Sequence, residues 1–197
     1  GAGEFWIHKI DLQGNIEWQR YFGGSSNDRS YDSIQSSDGN YVIVGSSESQ
    51  DFDIITPKGS YDIWAIKIDA NGNLLWQKSI GGTGYDKGNA IIESSTGEYI
   101  ILGQTFSNDG DIKGLTGSSD IVLAKLSPSG NLKQLKTLGD SGFQSANALT
   151  ERPDGTLVIA GKKSNLNISS GEQSLSKDVL LYYTLPNGSL IETIQLS

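Results

Sequence analysis

The chain repeats itself every 58 residues, and that period constrains its fold more than any other feature. "FWIHKIDLQGNIEW" from Phe5 aligns with "IWAIKIDANGNLLW" from Ile63, "IVLAKLSPSGNLKQ" from Ile121 and "VLLYYTLPNGSLIE" from Val179. Lys9, Lys67 and Lys125 match, as do Gly14, Gly72, Gly130 and Gly188. Gly45, Gly103 and Gly161 hold a second position, and Gly39, Gly97 and Gly155 a third, in the turns "SDGN", "STGE" and "PDGT". No insertion interrupts the register. A second pair of stretches, "FGGSSNDRSYDSI" from Phe22 and "IGGTGYDKGNAII" from Ile80, carries a Gly-Gly pair with an Asp four residues after its second glycine.

Each unit contains four short β-rich runs. In the middle unit they are "GNAIIES" from Gly88, "EYIILGQT" from Glu98, "DIVLAKLS" from Asp120 and "NLKQLKTL" from Asn131. Polar turns at Thr96-Gly97 and Ser129-Gly130 join the first two and the last two as hairpins. The longer segment "FSNDGDIKGLTGSS" parts the second run from the third, and no stretch shows useful helical periodicity. Four antiparallel strands per unit, repeated at fixed period, predict an all-β fold built from β-propeller blades. A β-solenoid, the runner-up, has shorter, parallel units.

These residues also resemble a known family. "GG(S/T)xxD", "DGNYVIVGSSES" and "YDIWAIKIDANGNLLWQKSIGG" are similar to the propeller repeats of large secreted proteins of the Bacteroidetes, and to the wider bacterial repeat with "GNxYVTG". The resemblance covers essentially the whole chain and loosens in the third unit, where the glycine pair becomes Gly139-Asp140 and the Trp18/Trp76 position becomes Gln134. It implies a secreted or bacterial cell-surface setting. It implies no activity.

Phased from the glycine pair, complete blades are expected at 23–80, 81–138 and 139–196, with 1–22 supplying the two outer strands of a preceding blade. Three and a half blades do not close a ring. The expectation is therefore a propeller continued by further blades N-terminal to Gly1, with a self-associating arc as the alternative. The lack of any methionine is read the same way, as a processed or excised piece.

Charge narrows the partners. With 23 acids against 15 Lys and Arg, a net charge of -8 disfavours nucleic acid and anionic membrane surfaces. No apolar run approaches the roughly 20 residues of a membrane helix. There is no cysteine, and His8 is the single histidine, at a position shared with Ile66, Ala124 and Tyr182, so the usual nucleophile–base pairs lack their components.

The acids are the remaining candidates. Asp28, Asp86, Asp51, Asp53, Asp109 and Asp111 are expected on one face, where the turn into each blade meets the long loop. Asp51 with Asp53, and Asp109 with Asp111, have the x-D-x-D spacing of hard-cation loops and are the candidate calcium ligands. Lys113 and Ile55 occupy the next ligand position, and Asx-turn chemistry explains the same acids. The four tryptophans, Trp6, Trp18, Trp64 and Trp76, read as blade-to-blade packing rather than a glycan-stacking surface, because they recur at equivalent positions. Small residues at Ser30, Gly88 and Ala146 suit a crowded central channel, and the glycine pair is expected to supply positive φ at the crossing between blades.

The functional expectation is a non-enzymatic scaffold or recognition module, binding a protein or glycan through rim loops such as "TPKGSY" and "KKSNLNISSGEQ". The alternatives are a propeller-fold hydrolase acting on polysaccharide and a subunit of a larger surface or secretion assembly.

Overall fold

The structure, a computed structural model, describes residues 3–169 and 172–196, without the side chains of 165–177. It is all-β, with 14 strands in four antiparallel sheets and no helix among the described residues. The first sheet pairs β1 (Phe5–Ile10) with β2 (Ile16–Phe22). The second runs in chain order through β3 (Asp28–Gln35), β4 (Tyr41–Ser47), β5 (Asp62–Ile68) and β6 (Leu74–Ile80). The third follows the same order through β7 (Asp86–Glu93), β8 (Tyr99–Thr105), β9 (Asp120–Leu126) and β10 (Leu132–Leu138). The fourth comprises β11 (Phe143–Glu151), β12 (Leu157–Ser169), β13 (Glu172–Thr184) and β14 (Leu190–Leu196).

The strands alternate in side-chain direction, so each four-stranded sheet has two faces to cover. Neighbouring sheets cover them. Phe5, Phe22, Ile43, Trp64 and Ile66 fill the first junction, with the Phe5 and Trp64 rings 4.6 Å apart. Val42, Val44 and Ile63 meet Ile91, Tyr99 and Ile101 in the second. Leu102, Ile121 and Leu123 meet Ala146, Ile159 and Tyr182 in the third. Strand β5 is buried along its whole length and apolar on both faces apart from Asp62 and Lys67. Each fully buried Ile or Trp of this kind contributes about 1.5–3 kcal/mol.

The three junctions share one backbone bridge. Parallel bridges Gly3↔Asn27, Tyr61↔Tyr85 and Ser119↔Phe143 recur at the sequence period. Trp18 Nε1 donates to the Ala70 carbonyl at 3.0 Å and Trp76 Nε1 to the Pro128 carbonyl at 3.1 Å; at the third junction Gln134 donates to Asn187 O instead. The tryptophans therefore do junction work at 18, 64 and 76, while Trp6 of β1 stands 56% exposed.

Two expectations change. Gly88 is small because a Cβ there would come within 2.5 Å of Val44 Cγ2; the position sets how closely two sheets approach, rather than lining a channel. The described residues of the segment "KKSNLNISSGEQ", 162–169 and 172–173, lie in strands rather than in a loop. β12 and β13 run 13 residues each and pair from Leu157↔Thr184 out to Ser169↔Glu172.

Candidate functional site

The glycine-pair turns and the long loops do meet at one end of the molecule, and backbone amides join them. Gly24 N donates to Asp28 Oδ2 at 2.7 Å, Ser25 N to Asp51 Oδ1 at 2.8 Å and Gly23 N to Asp53 Oδ2 at 3.1 Å. One repeat later, Gly82 N donates to Asp86 Oδ2 at 2.8 Å, Thr83 N to Asp109 Oδ1 at 2.7 Å and Gly81 N to Asp111 Oδ2 at 3.3 Å. Ser49 and Ser107 complete each latch, accepting from Ser26 N and Gly84 N while donating to Asp28 and Asp86.

This geometry gives three of the four paired glycines a different reason from the expected one. Gly23 has the expected positive φ, at 155°, but Gly24, Gly81 and Gly82 do not. A Cβ on Gly24 would sit 2.5 Å from Asp51 Oδ1, and one on Gly82 would collide with the Asp109 carboxylate. The glycines let carboxylates reach main-chain amides. The candidate calcium ligands Asp51, Asp53, Asp109 and Asp111 thus spend acceptor oxygens on the turn, and the described residues contain no group of three or more His or acidic side chains placed to hold a metal ion. In the fourth sheet Gln144 replaces the turn Asp and donates to Asp140, which also takes Lys163 Nζ at 2.6 Å.

Two further acids lie as deep as Asp28 and Asp86 of the latches. Asp62 and Asp120 are 2% and 0% exposed, and Asp86 is 0% exposed. Asp62 Oδ2 accepts from Lys58 N at 2.6 Å, while its Oδ1 points at Gly81 without a hydrogen-bond partner. Burial, with the nearby Asp86 charge, pushes the Asp62 carboxyl up to about 6 against the amide of Lys58. Burial likewise raises Asp86, opposed by hydrogen bonds from Thr105, Gly82 and Ser107. No glycosidic oxygen reaches carboxylates sealed this deeply, so the pair is structural in its setting.

The exposed chemistry is on the first latch. Phe52, between Asp51 and Asp53, has φ 52° and is 81% exposed. The equivalent residue of the next loop is Gly110, at φ 59°. A left-handed backbone that suits glycine is here occupied by an aromatic residue with its ring in solvent. Beside it a shallow pocket of about 370 Å³ is lined by Tyr21, Gly23, Gly24, Phe52, Asp53 and Glu4, with Tyr21 55% exposed. Sequence reasoning passed over Phe52; the signal was the mismatch of Phe52 with Gly110 in otherwise matched "xDxD" segments.

The third feature is a groove of about 430 Å³ along the edge of β1 that no described strand pairs, and its lining includes Trp6, His8, Lys9, Trp18, Tyr31 and Tyr41. His8 lies against Trp6, ring centroids 5.1 Å apart. No protein-family model matches the chain, and no curated protein matches it.

Proposed function

We propose that the four sheets are successive blades of a β-propeller, and that the chain is a non-enzymatic recognition module which holds a protein or glycan partner on its latched loops. The recurrence of one backbone bridge at the three junctions supports the propeller reading. The secreted or bacterial surface setting rests on the resemblance of the repeat.

The observation that carries the recognition reading is Phe52. A non-glycine residue in the left-handed region costs about 1 kcal/mol or more. The latch imposes that cost and places the ring in water beside Tyr21 and the acids Asp53 and Glu4. Such strain is at home where a side chain is used for contact.

The test separates contact from stability. Binding of immobilised chain to a panel of polysaccharides and bacterial surface proteins is measured for the natural chain, Phe52→Gly and Tyr21→Ser. Phe52→Gly is expected to abolish the binding found for the natural chain, while its unfolding free energy is unchanged or rises by up to about 1 kcal/mol. Binding that ignores both substitutions, or hydrolysis of a polysaccharide by the chain, overturns the reading.

A further inference from the structure

The groove along β1 has an internal template. By the repeat, β1 occupies the register of β5, β9 and β13, and each of those strands is hydrogen-bonded on one side to β4, β8 or β12. Among the described residues β1 pairs with β2 alone. Its seating on the second sheet is nevertheless the common one, with Asp28 N donating to Gly3 O at 3.0 Å as Asp86 N donates to Tyr61 O at 2.8 Å. The surface beneath the open edge is therefore the counterpart of a surface covered elsewhere. Ile91 and Tyr99 are 2% and 1% exposed under the preceding sheet, whereas Ser33 is exposed and Tyr41 half-buried.

Lys9 says what chemistry is missing. Its equivalents reach an acid in the hairpin turn of their own sheet: Lys67 Nζ lies 2.6 Å from Asp38 Oδ2, and Lys125 Nζ 3.2 Å from Glu98 Oε2. Those side chains are 5% and 18% exposed. The Lys9 side chain is 37% exposed and turns to Glu17 of β2 at 2.7 Å, at a position where the other units have Leu75 and Lys133.

We propose that the β1 edge is a docking site for a two-stranded β-hairpin with the chemistry of β3–β4. The second strand of the hairpin adds to β1 through main-chain hydrogen bonds, and its turn gives Lys9 a carboxylate. This rests on the reading of the sheets as repeated blades. Backbone pairing supplies affinity, and the Lys9–acid pair supplies register.

The probe is a synthetic peptide of residues 28–47, closed by a disulfide between cysteines added at its ends, titrated into the intact chain with tryptophan fluorescence as the readout. The groove contains Trp6 and Trp18, so saturable one-to-one binding with a blue shift is expected. Lys9→Glu weakens it at least tenfold, and an Asp38→Lys peptide restores binding to that variant. Lys9→Gln, a milder change, weakens it less. Circular dichroism confirms that each variant is folded. Absence of binding to folded chain, or affinity indifferent to Lys9, overturns the proposal. So does a concentration-dependent dimer that excludes the peptide, which makes a second copy the occupant. A peptide that fails while Phe52→Gly still abolishes partner binding defeats this inference and leaves the proposed function standing.

Discussion

Asp62 shows what one buried carboxyl does to the whole chain's pH response. Its folded value of about 6 lies above the ordinary 3.8, so the folded state holds the proton more tightly than the unfolded state. That contribution to stability is full below 3.8 and is lost as pH rises to about 6. Above the window the ionised group costs up to about 3 kcal/mol, taking 1.36 kcal/mol per pH unit. Asp62→Asn keeps an acceptor for Lys58 N and removes the charge. It is expected to stabilise the chain by about 1–3 kcal/mol at pH 8 and to do little at pH 4, as read by denaturant unfolding at both pH values. Equal effects at the two would defeat the assignment. The glycines make a second residue-scale test. Gly82→Ala drives a Cβ into the Asp109 carboxylate and carbonyl, and should cost about 2–4 kcal/mol. Gly97→Ala, at φ 79° with open space around it, pays only for backbone strain, about 1 kcal/mol. Thermal melts of the two variants should rank in that order.

Strands and hairpins were the legible scale. The Gly39, Gly97 and Gly155 turns, all at φ near 80°, announce themselves because an L side chain is strained there, and period-two apolar runs mark the strands on either side. The runs named from Glu98 and Asp120 became β8 and β9 almost unchanged. What the sequence hid was set by partners distant in the chain. The glycine pair looked conformational and, apart from Gly23, proved steric, because the atoms nearest Gly24 and Gly82 belong to Ser49, Asp51, Ser107 and Asp109 on the long loops. The β12–β13 extension was hidden for a related reason. Asn167 and Ser169 stand where the other units have the latching acids, and Asp140 replaces the second glycine, so the residue types of the latch are missing there and the ladder continues instead. Trp76 belongs to this scale too, since its ring packs over Gly130 and its Nε1 joins two sheets. Trp76→Phe keeps most of the ring and loses the hydrogen bond, for an expected cost of about 1–2 kcal/mol in denaturant unfolding. A neutral result would mean that packing alone holds the junction.

Among the described residues the main contacts of each sheet are with its neighbours, so stability is assembled step by step along the stack. β5, β8 and β9 are buried almost throughout, whereas β2 is mostly exposed and β14 exposed at every residue. Hydrogen exchange should follow that gradient, with amides of β5, β8 and β9 slowest and those of β1, β2 and β14 fastest. Uniform protection across all four sheets would mean that the stack opens as a single unit.

The latched loops and the projecting hairpin have one more property in common. Residues 48–61, 106–119 and 164–177 are equivalent stretches of equal length, yet two fold back on a turn and the described residues of the third extend as a paired ribbon. A duplicated unit therefore inherits both shapes. Descent by point substitution, with no gain or loss of chain, suffices to turn a tucked loop into an outstretched arm. Every strand keeps its place in the ladder while one copy is free to acquire a reach that its siblings lack.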